Sequence, residues 1–323
     1  MVADEAMAHE GDQPIPERTL DEAVWATLID SVIEGKCTPF LGAGVAWPHL
    51  PTGKELATSL ASEYDYPLKD PTNLPRVAQY IATVYDPPFA KRRVRDQITA
   101  KRDEFIESSD EDKFPKNYRI LANLGLPIYL TTNYDDFLAR ALKANDRAPK
   151  EEICRWNNQL SDELNGYSRD QPTTEQPLVF HLHGKLSNES SLLVTEDDYI
   201  DFTVSLGQQG EDSVIPHWIR RALSRTTLLF VGYSLEDWNF RVLMRQLMKQ
   251  QNVQRYEQAL SLSIQLSDTN IPLEQRPKAE RFLADYLGTS AIRIYWGNAA
   301  PFLEELNRRS KEARAARNRG RHG

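Results

Sequence analysis

The sequence predicts an α/β protein built around a doubly wound parallel sheet. Apolar segments of strand length alternate with helical periodicities along most of the 323 residues, and this alternation indicates right-handed βαβ crossovers. Residues 226–234 (TTLLFVGYS) are mostly apolar at both odd and even positions, which is typical of a central strand covered on both faces. The predicted fold is therefore Rossmann-like, with a small helical insertion module and no zinc ribbon.

The N-terminal half is predicted to contain two strands and a group of helices. Residues 1–18 show no periodicity and are rich in Pro, Gly and acidic residues, so we expect them to be disordered. Thr19 and Glu22 have capping-box spacing at the start of an amphipathic stretch that stops at Gly35, which predicts a helix. The elements predicted next are a strand running from Cys37 into a glycine turn, a helix begun by Thr52 and Glu55, a helical module at about 66–117, a strand over 126–133 and a helix over 134–145.

The C-terminal half continues the alternation. Residues 146–177 are polar and contain Pro, Asn and Asp, which indicates an irregular surface insertion. The elements predicted after it are a strand over 177–184, a short strand and helix over 191–202, a helix over 215–225, the apolar strand over 226–234, a helix over 235–250, a strand over 258–266, a helix over 274–288, a strand over 291–297 and a last helix over 301–313. We assign residues 19–310 to one main domain, followed by a basic tail over 311–323.

The charge of the chain is unevenly distributed. The net charge is −8, and the sixteen residues from Arg308 contain seven Arg or Lys and one Glu, so the rest of the chain carries about −14. An acidic body argues against a broad nucleic-acid surface, and contact with nucleic acid is expected only indirectly or through the basic tail. A frayed, solubilising extension of the last helix is the simpler interpretation of that tail, and a contact for phosphates or a partner protein is the alternative.

Cysteine usage and hydropathy exclude further classes. Cys37 and Cys154 are too few for a disulfide framework or a four-thiolate zinc site. No apolar run approaches the ~20 residues that span a bilayer, and the first residues lack the features of a signal peptide. We therefore expect a cytoplasmic protein without membrane contact.

Four predicted strands end in residues that suit ligand binding. Ligands of a doubly wound sheet bind beyond the carboxyl ends of the strands, so a site is expected there. The four segments are Gly42-Ala43-Gly44, Thr132-Asn133-Tyr134-Asp135, His181-Leu182-His183-Gly184 and Gly232-Tyr233-Ser234.

The glycine turn and the Asn and Asp side chains each allow two interpretations. Gly42 and Gly44 let backbone N–H groups approach a pyrophosphate. Trp47 stands where the dinucleotide fingerprint has its third glycine, so a plain tight turn explains the segment as well. Asn133 can hold a ribose hydroxyl or a water, and Asp135 can accept from a carboxamide N–H, but helix N-capping is the alternative for both.

The histidines and the last segment are equally open. His183 follows an apolar strand, and an ordinary histidine pKa of about 6.5 suits proton transfer at neutral pH. A structural role is the alternative, and His181, two residues earlier, is predicted to be buried in the sheet. Ser234 can bind a ribose or a phosphate, or it can cap the following helix.

Taken together and in order, five segments resemble the SIR2-like (sirtuin-related) domains of bacteria over roughly residues 21–308. They are PFLGAGVAWPHLPTGKEL, YLTTNYDDFL, LVFHLHGKL, VTEDDYIDF and LLFVGYSLEDWNFR. The resemblance implies an NAD⁺ site in which Asn133 lies near the nicotinamide ribose, Asp135 lies near the carboxamide and His183 acts as a base. It assigns the other NAD⁺ contacts to Gly42, Ala43, Gly44, Thr132, Gly232 and Ser234.

The chain departs from protein-deacetylating sirtuins at three places. Their P-D-F-R segment is replaced by residues 51–54 (PTGK), the Gln of their T-Q-N-I-D loop by Thr132, and two lone cysteines cannot form their zinc module. What remains is similar to SIR2-like domains that hydrolyse NAD⁺ in defence against phage, often beside a HerA-type ATPase or an Argonaute-like protein. We therefore expect NAD⁺ as the substrate, no metal, and catalysis by Asn133, His183 and Asp135.

Other functions stay open on the sequence alone. A binding module that senses NAD or ADP-ribose would release no nicotinamide, whereas a residual deacylase or ADP-ribosyltransferase would need a second substrate. The basic stretch KRRVRDQITAKR of the helical module indicates either a solvated helix face or a gate or subunit contact. Because an enzyme that drains NAD⁺ must be restrained, we expect a homo-oligomer or a partner complex.

Overall fold

A computed structural model describes residues 20–109, 113–164, 166–168, 170–207, 214–233, 261–265, 274–275, 277–278, 281–282 and 292–320. The strands in this part of the chain are β1 (Cys37–Leu41), β2 (Ile128–Thr131), β3 (Lys150–Ile153), β4 (Leu178–His181), β5 (Thr227–Val231), β6 (Ser261–Gln265) and β7 (Ile292–Trp296). All neighbouring strands are parallel, in the order β3-β4-β2-β1-β5-β6-β7. The predicted α/β fold with a doubly wound parallel sheet is confirmed.

Helices connect these strands. Those of the described residues are α1 (Glu22–Ile33), α2 (Gly53–Glu63), α3 (Leu74–Val84), α4 (Pro87–Ser108), α5 (Lys116–Asn123), α6 (Phe137–Ala144), α7 (Asn158–Glu163), α8 (Glu196–Leu206), α9 (His217–Leu223) and α10 (Ala299–Gly320). The predicted capping box at Thr52 and Glu55 is present, and it satisfies backbone N–H groups at the start of α2. The helical module at about 66–117 contains α3, α4 and the start of α5, and its described residues include no strand.

The strand order reverses between β1 and β5, where the ligand crevice of a doubly wound sheet is expected. Leu41, the last residue of β1, is in register with Val231 of β5. On the other side of β1, Thr131 of β2 is in register with His181 of β4. The four segments singled out in the sequence therefore begin at one edge of the sheet.

Two apolar layers cover the sheet. Leu41, Tyr129 and Val231 belong to one buried cluster, to which α1, α10 and the helical module contribute. Phe40 and Phe230, whose ring centroids are 4.9 Å apart, belong to a second cluster with residues of α8 and α9. Burying a side chain of this size contributes about 1.5–3 kcal/mol, so the alternating faces of each strand fix the register.

Three predicted elements before the last helix differ from the structure. The first helix begins at Glu22 with Asp21 as its N-cap, because the Asp21 carboxylate accepts the Val24 N–H at 2.9 Å. The insertion at 146–177 is not wholly irregular: it contains the edge strand β3 and helix α7. The segment 191–195 is not a strand; it follows a 3-10 helix (Glu189–Ser191), and its apolar residues are buried without joining the sheet.

The last helix extends further than predicted, to Gly320, so most of the basic tail continues α10. Its arginines bind neighbouring elements. Arg309 pairs with Glu22 at 2.7 Å, Arg317 pairs with Asp30 at 2.6 Å, and Arg314 donates to the main-chain oxygen of Leu124 at 2.6 Å. The arginines at 309, 314 and 317 therefore fix α10 against α1 and the end of α5, rather than belonging to a frayed end.

Several predictions fall outside the described residues: disorder over 1–18, the helix over 235–250, most of the helix over 274–288, and Ser234. Within the described ranges, no helix combines the length and apolar character needed to cross a membrane. The same ranges hold no group of three His, Cys, Asp or Glu residues placed to bind a metal ion.

Candidate active site

Two glycine turns contact each other where the strand order reverses. The N–H of Gly42 donates to the oxygen of Val231, and the N–H of Gly44 donates to the oxygen of Gly232, both at 2.9 Å. Gly232 has a φ of +81°, and a Cβ added to it would lie 2.5 Å from the backbone nitrogen of Val45. These glycines are therefore required by the contact between the turns, and the predicted pyrophosphate contact of Gly42 and Gly44 stays a prediction.

Thr132 and Tyr233 connect the ends of β2 and β5. The Thr132 hydroxyl donates to the Tyr233 hydroxyl at 3.2 Å, and that hydroxyl donates to the main-chain oxygen of Leu41 at 3.1 Å. The side chains thus cross the end of β1, which lies between the two strands. Tyr233 stands inside a predicted segment, but its hydroxyl was not assigned a role from the sequence.

Asn133 is the most fully oriented of the predicted catalytic residues. Its side chain is buried, and its amide nitrogen donates to the Gly42 carbonyl oxygen and to the Tyr118 hydroxyl, both at 3.0 Å. A carbonyl oxygen can only accept, so the nitrogen of the amide must face Gly42. Among the described residues, no donor bonds to the opposite oxygen, Oδ1. Asn133 therefore does not cap α6, and its Oδ1 is available to a ligand.

The Asp135 carboxylate stabilises the start of α6, although the N-cap residue itself is Asp136. One carboxylate oxygen accepts the N–H of Phe137, the first residue of α6, at 3.0 Å, and the other accepts the hydroxyl proton of Tyr118 at 3.2 Å. Burial raises the pKa of Asp135 to about 6, although the Phe137 N–H and the nearby His181 oppose the rise. Each carboxylate oxygen can accept a second hydrogen bond, and the contact of Asp135 with a carboxamide stays a prediction.

His183 lies in a largely apolar environment. The residue is about 8% exposed, and its ring meets the rings of Tyr199 and Phe202 of α8 edge-on, with centroids 5.5 Å apart. Burial lowers the pKa of His183 to about 3, so the imidazole is neutral at pH 7. Gly184 follows with a φ of +89°, and a Cβ there would lie 2.1 Å from the Ser191 oxygen. The turn after His183 thus requires glycine.

The loops of Asn133 and His183 are joined directly. Tyr134 is the residue between Asn133 and Asp135. Its carbonyl accepts the Leu186 N–H at 2.9 Å, and its hydroxyl donates to the Leu193 oxygen at 2.7 Å. The Leu193 N–H in turn donates to the His183 oxygen at 3.0 Å. The Asn133 amide contacts the turn after β1 and helix α5, whereas the His183 ring contacts α8.

His181 is buried in the sheet, as predicted, with 1% of its surface exposed. Its Nε2 lies 3.3 Å from Glu151 of β3, and its Nδ1 lies 3.5 Å from the main-chain oxygen of Asn133. Lys185 also pairs with Glu151. Burial acts to raise the pKa of Glu151, but the hydrogen bonds from His181 and Lys185 outweigh it and hold that pKa at about 2. His181 therefore supports the loop of Asn133 from the side of β4.

The basic stretch of α4 binds the segment that follows His183. Lys91 forms an ion pair with Asp198 of α8 at 3.0 Å, and both side chains are almost buried. Arg95 pairs with Glu189, and Arg76 of α3 pairs with Glu196 at 3.2 Å. These residues are not a merely solvated helix face, since they join the helical module to α8. The basic stretch begins with Lys91, and Asp198 lies in one of the five SIR2-like segments, but no pattern in the sequence predicted that the two would pair.

The neutral state of His183 predicts a specific pH dependence of stability. The folded protein holds the imidazole neutral down to a pKa of about 3, whereas the unfolded chain protonates it near pH 6.5. The contribution to stability is therefore complete above pH 6.5 and is lost as the pH falls towards 3. Between pH 7 and pH 5, wild type should lose about 2 kcal/mol more free energy of unfolding than His183→Gln. Urea unfolding at the two pH values measures this, and an equal loss in both proteins would contradict the assigned state.

The parallel sheet, its strand order and the glycine turns at the point of reversal define the class of Rossmann-like α/β domains. The family model described as "SIR2-like domain" matches residues 127–288, just over half of the chain. The chain therefore belongs to the SIR2-like domain family, as its motifs indicated.

Curated relatives of the chain carry the name "NAD(+) hydrolase ThsA". The chain is 27% identical to the protein of Enterococcus faecium over 228 residues, 68% of this chain and 42% of that protein. It is 23% identical to that of Acinetobacter baumannii (strain 532279) over 294 residues, 87% of this chain and 56% of the relative. It is 26% identical to that of Cytobacillus dafuensis over 231 residues, which are 70% of this chain and 40% of that protein. The matched region thus spans about two fifths to just over half of each relative.

Proposed function

We propose that this protein hydrolyses NAD⁺ at the bond between nicotinamide and ribose. The observation that carries the proposal is the buried Asn133 amide, which is oriented by Gly42 and Tyr118 and leaves Oδ1 for a ligand at the end of a parallel sheet. The names of the curated relatives support NAD⁺ as the substrate. The retained Asp135 and His183 supply the other groups that the chemistry needs.

The reaction needs a group that orients the ribose and one that receives a proton. The C1′–N1 bond breaks, its electron pair remains on the ring nitrogen, and nicotinamide leaves as a neutral molecule. Positive charge develops on the ribose, water adds to C1′, and one proton is released, so the products are nicotinamide, ADP-ribose and H⁺. A site that holds the ribose and the water in the reactive geometry lowers this barrier.

Asn133 is the residue that we assign to this positioning. Both of its amide hydrogens are engaged, so only Oδ1 can bind the substrate, and as an acceptor it suits a ribose hydroxyl or the attacking water. The fixed amide does not have to be ordered when the substrate binds, which reduces the entropy cost of the reaction.

His183 is the residue that we assign as the proton acceptor. A neutral imidazole can accept a proton from a ribose hydroxyl or from water, and burial keeps His183 neutral at pH 7. Its low pKa makes it a weak base without a ligand. The two negative charges of a bound diphosphate act in the opposite direction, because nearby anions favour the protonated form. Asp135 is assigned to the carboxamide of nicotinamide, with its Phe137 and Tyr118 bonds fixing the carboxylate.

The proposal extends to biological role and partners. We propose that the activity depletes cytoplasmic NAD⁺ as a defence effector, and that a homo-oligomer or a partner such as a HerA-type ATPase or an Argonaute-like protein controls it. Access to the site is the step that such a partner would control, and the ion pairs that join α4 to the segment after His183 support the helical module as the place of control.

The test is incubation of the purified protein with NAD⁺, followed by chromatography of the products, alone and with the product of the neighbouring gene. Nicotinamide and ADP-ribose in equal amounts are the expected result. Tight NAD⁺ binding without nicotinamide release under both conditions would favour a binding module and contradict the proposal. Release that depends on an acetyl-lysine peptide would indicate a deacylase instead.

A further inference from the structure

Tyr118 of α5 lies beneath the proposed site, and the sequence motifs did not include it. Its side chain is about 1% exposed and packs against Phe137, with ring centroids 5.8 Å apart. Burial raises the pKa of Tyr118 well above its ordinary value, so the hydroxyl keeps its proton. A buried hydroxyl needs hydrogen-bond partners, and those of Tyr118 are two of the proposed catalytic residues.

The direction of each hydrogen bond in this cluster is determined. The Gly42 carbonyl can only accept, so it takes one hydrogen of the Asn133 amide, and the Tyr118 oxygen takes the other. The hydroxyl proton of Tyr118 is therefore left for the carboxylate of Asp135, at 3.2 Å. One hydroxyl thus orients an amide and a carboxylate on either side of Tyr134.

We infer that Tyr118 is a positioning residue for NAD⁺ cleavage: its hydroxyl holds Asn133 with Oδ1 towards the substrate and holds Asp135 at the carboxamide. The inference rests on the proposed function and adds a residue to it. Without the hydroxyl, the Asn133 amide keeps only the Gly42 bond and can rotate, and Asp135 keeps only the Phe137 N–H among its described donors.

The tyrosine offers a conservative test and a matched control. Tyr118→Phe removes one oxygen and keeps the ring. Tyr129→Phe removes the hydroxyl of a second fully buried tyrosine, which donates to the Leu121 oxygen and accepts the Leu126 N–H, away from the site. The control leaves the buried Leu126 N–H without its partner, whereas the Leu121 oxygen keeps the Leu124 N–H at 3.2 Å. We therefore expect the control to be destabilised as Tyr118→Phe is.

We expect Tyr118→Phe to lower kcat for NAD⁺ hydrolysis about tenfold with KM within about twofold, the scale of one hydrogen bond. Tyr129→Phe should keep kcat within about twofold of wild type. The pH profile gives a second readout. The groups that face Asp135 are the Tyr118 hydroxyl, the Phe137 N–H, Asp136 and His181, and the hydroxyl is among those that lower the pKa of Asp135. Loss of the Tyr118 hydroxyl should move the acidic side of the kcat–pH profile to higher pH, whereas Tyr129→Phe should leave that side of the profile unchanged.

A measurement independent of turnover separates this inference from the proposed function. In ¹⁵N spectra, the side-chain amide resonances of Asn133, assigned by their loss in Asn133→Asp, should shift in Tyr118→Phe and stay in place in Tyr129→Phe. If wild type released no nicotinamide, the proposed function would fail, and these spectra would still decide whether Tyr118 holds the amide. Unchanged Asn133 resonances in Tyr118→Phe would overturn the inference. So would an active wild type if Tyr118→Phe kept the same kcat and the same pH dependence of kcat on the acidic side.

Discussion

Replacing Asn133 with alanine is expected to lower the rate of NAD⁺ hydrolysis by about 100-fold or more, and His183→Ala should have an effect of the same size. Removal of a positioned acid–base or orienting group commonly costs this much. In Asn133→Ala the Gly42 oxygen and the Tyr118 hydroxyl lose their donor, and the acceptor Oδ1 is removed. The measurement is nicotinamide release under saturating NAD⁺, since an effect on positioning should appear in kcat.

Matched controls separate chemistry from folding. Asn145→Ala removes a partly buried amide at the end of α6 that, like Asn133, donates to a backbone oxygen, here that of Ala122 at 3.1 Å. His49→Ala removes an imidazole that contacts the ring of Phe105 instead of the strand ends. Both controls should keep most of the activity. Near-normal NAD⁺ consumption by folded Asn133→Ala or His183→Ala would refute the catalytic assignment.

The fold could be predicted because its strands are apolar and its turns contain glycine. β1, β2, β4 and β5 are buried along their full length, so their sequences are mostly apolar. β3 has no such signal. Its sequence, KEEI, is half-exposed at the edge of the sheet, and its Glu151 binds His181 and Lys185. Edge strands that hold charged side chains resemble loops in sequence.

The site could be predicted only in part. Asn133, Asp135 and His183 stand directly after strands, and a parallel sheet brings such positions to one edge. Tyr118 and Lys91 lie in helices far from these motifs in sequence, and only the packing of α5 and α4 brings them to Asn133 and Asp198. Nothing in a single sequence distinguishes a buried tyrosine that orients an amide from one, such as Tyr129, that binds a backbone carbonyl.

Gly232→Ala is expected to destabilise the folded protein by about 2–6 kcal/mol, the sum of about 1–3 kcal/mol for a non-glycine residue at positive φ and about 1–3 kcal/mol for overpacking. The new methyl group would lie 2.5 Å from the Val45 nitrogen and 2.8 Å from the Gly42 oxygen, both backbone atoms. The loop after β5 and the turn after β1 would have to separate, which breaks the Gly44 N–H bond to Gly232. Urea unfolding gives the change in free energy.

Gly53→Ala is the control for this prediction. Gly53 is the first residue of α2, and its nearest neighbour would be a Leu74 methyl group 4.0 Å from the added Cβ. Since alanine favours a helix over glycine, this variant should be neutral or slightly stabilised. Gly42→Ala separates the two explanations of the glycine turn, because its Cβ would lie 2.6 Å from the Gly232 oxygen. If Gly42 and Gly232 served only to admit a pyrophosphate, Gly42→Ala and Gly232→Ala would be as stable as Gly53→Ala. Their only defect would then be a loss of NAD⁺ binding. The contact between the two turns requires instead that stability falls without any ligand present.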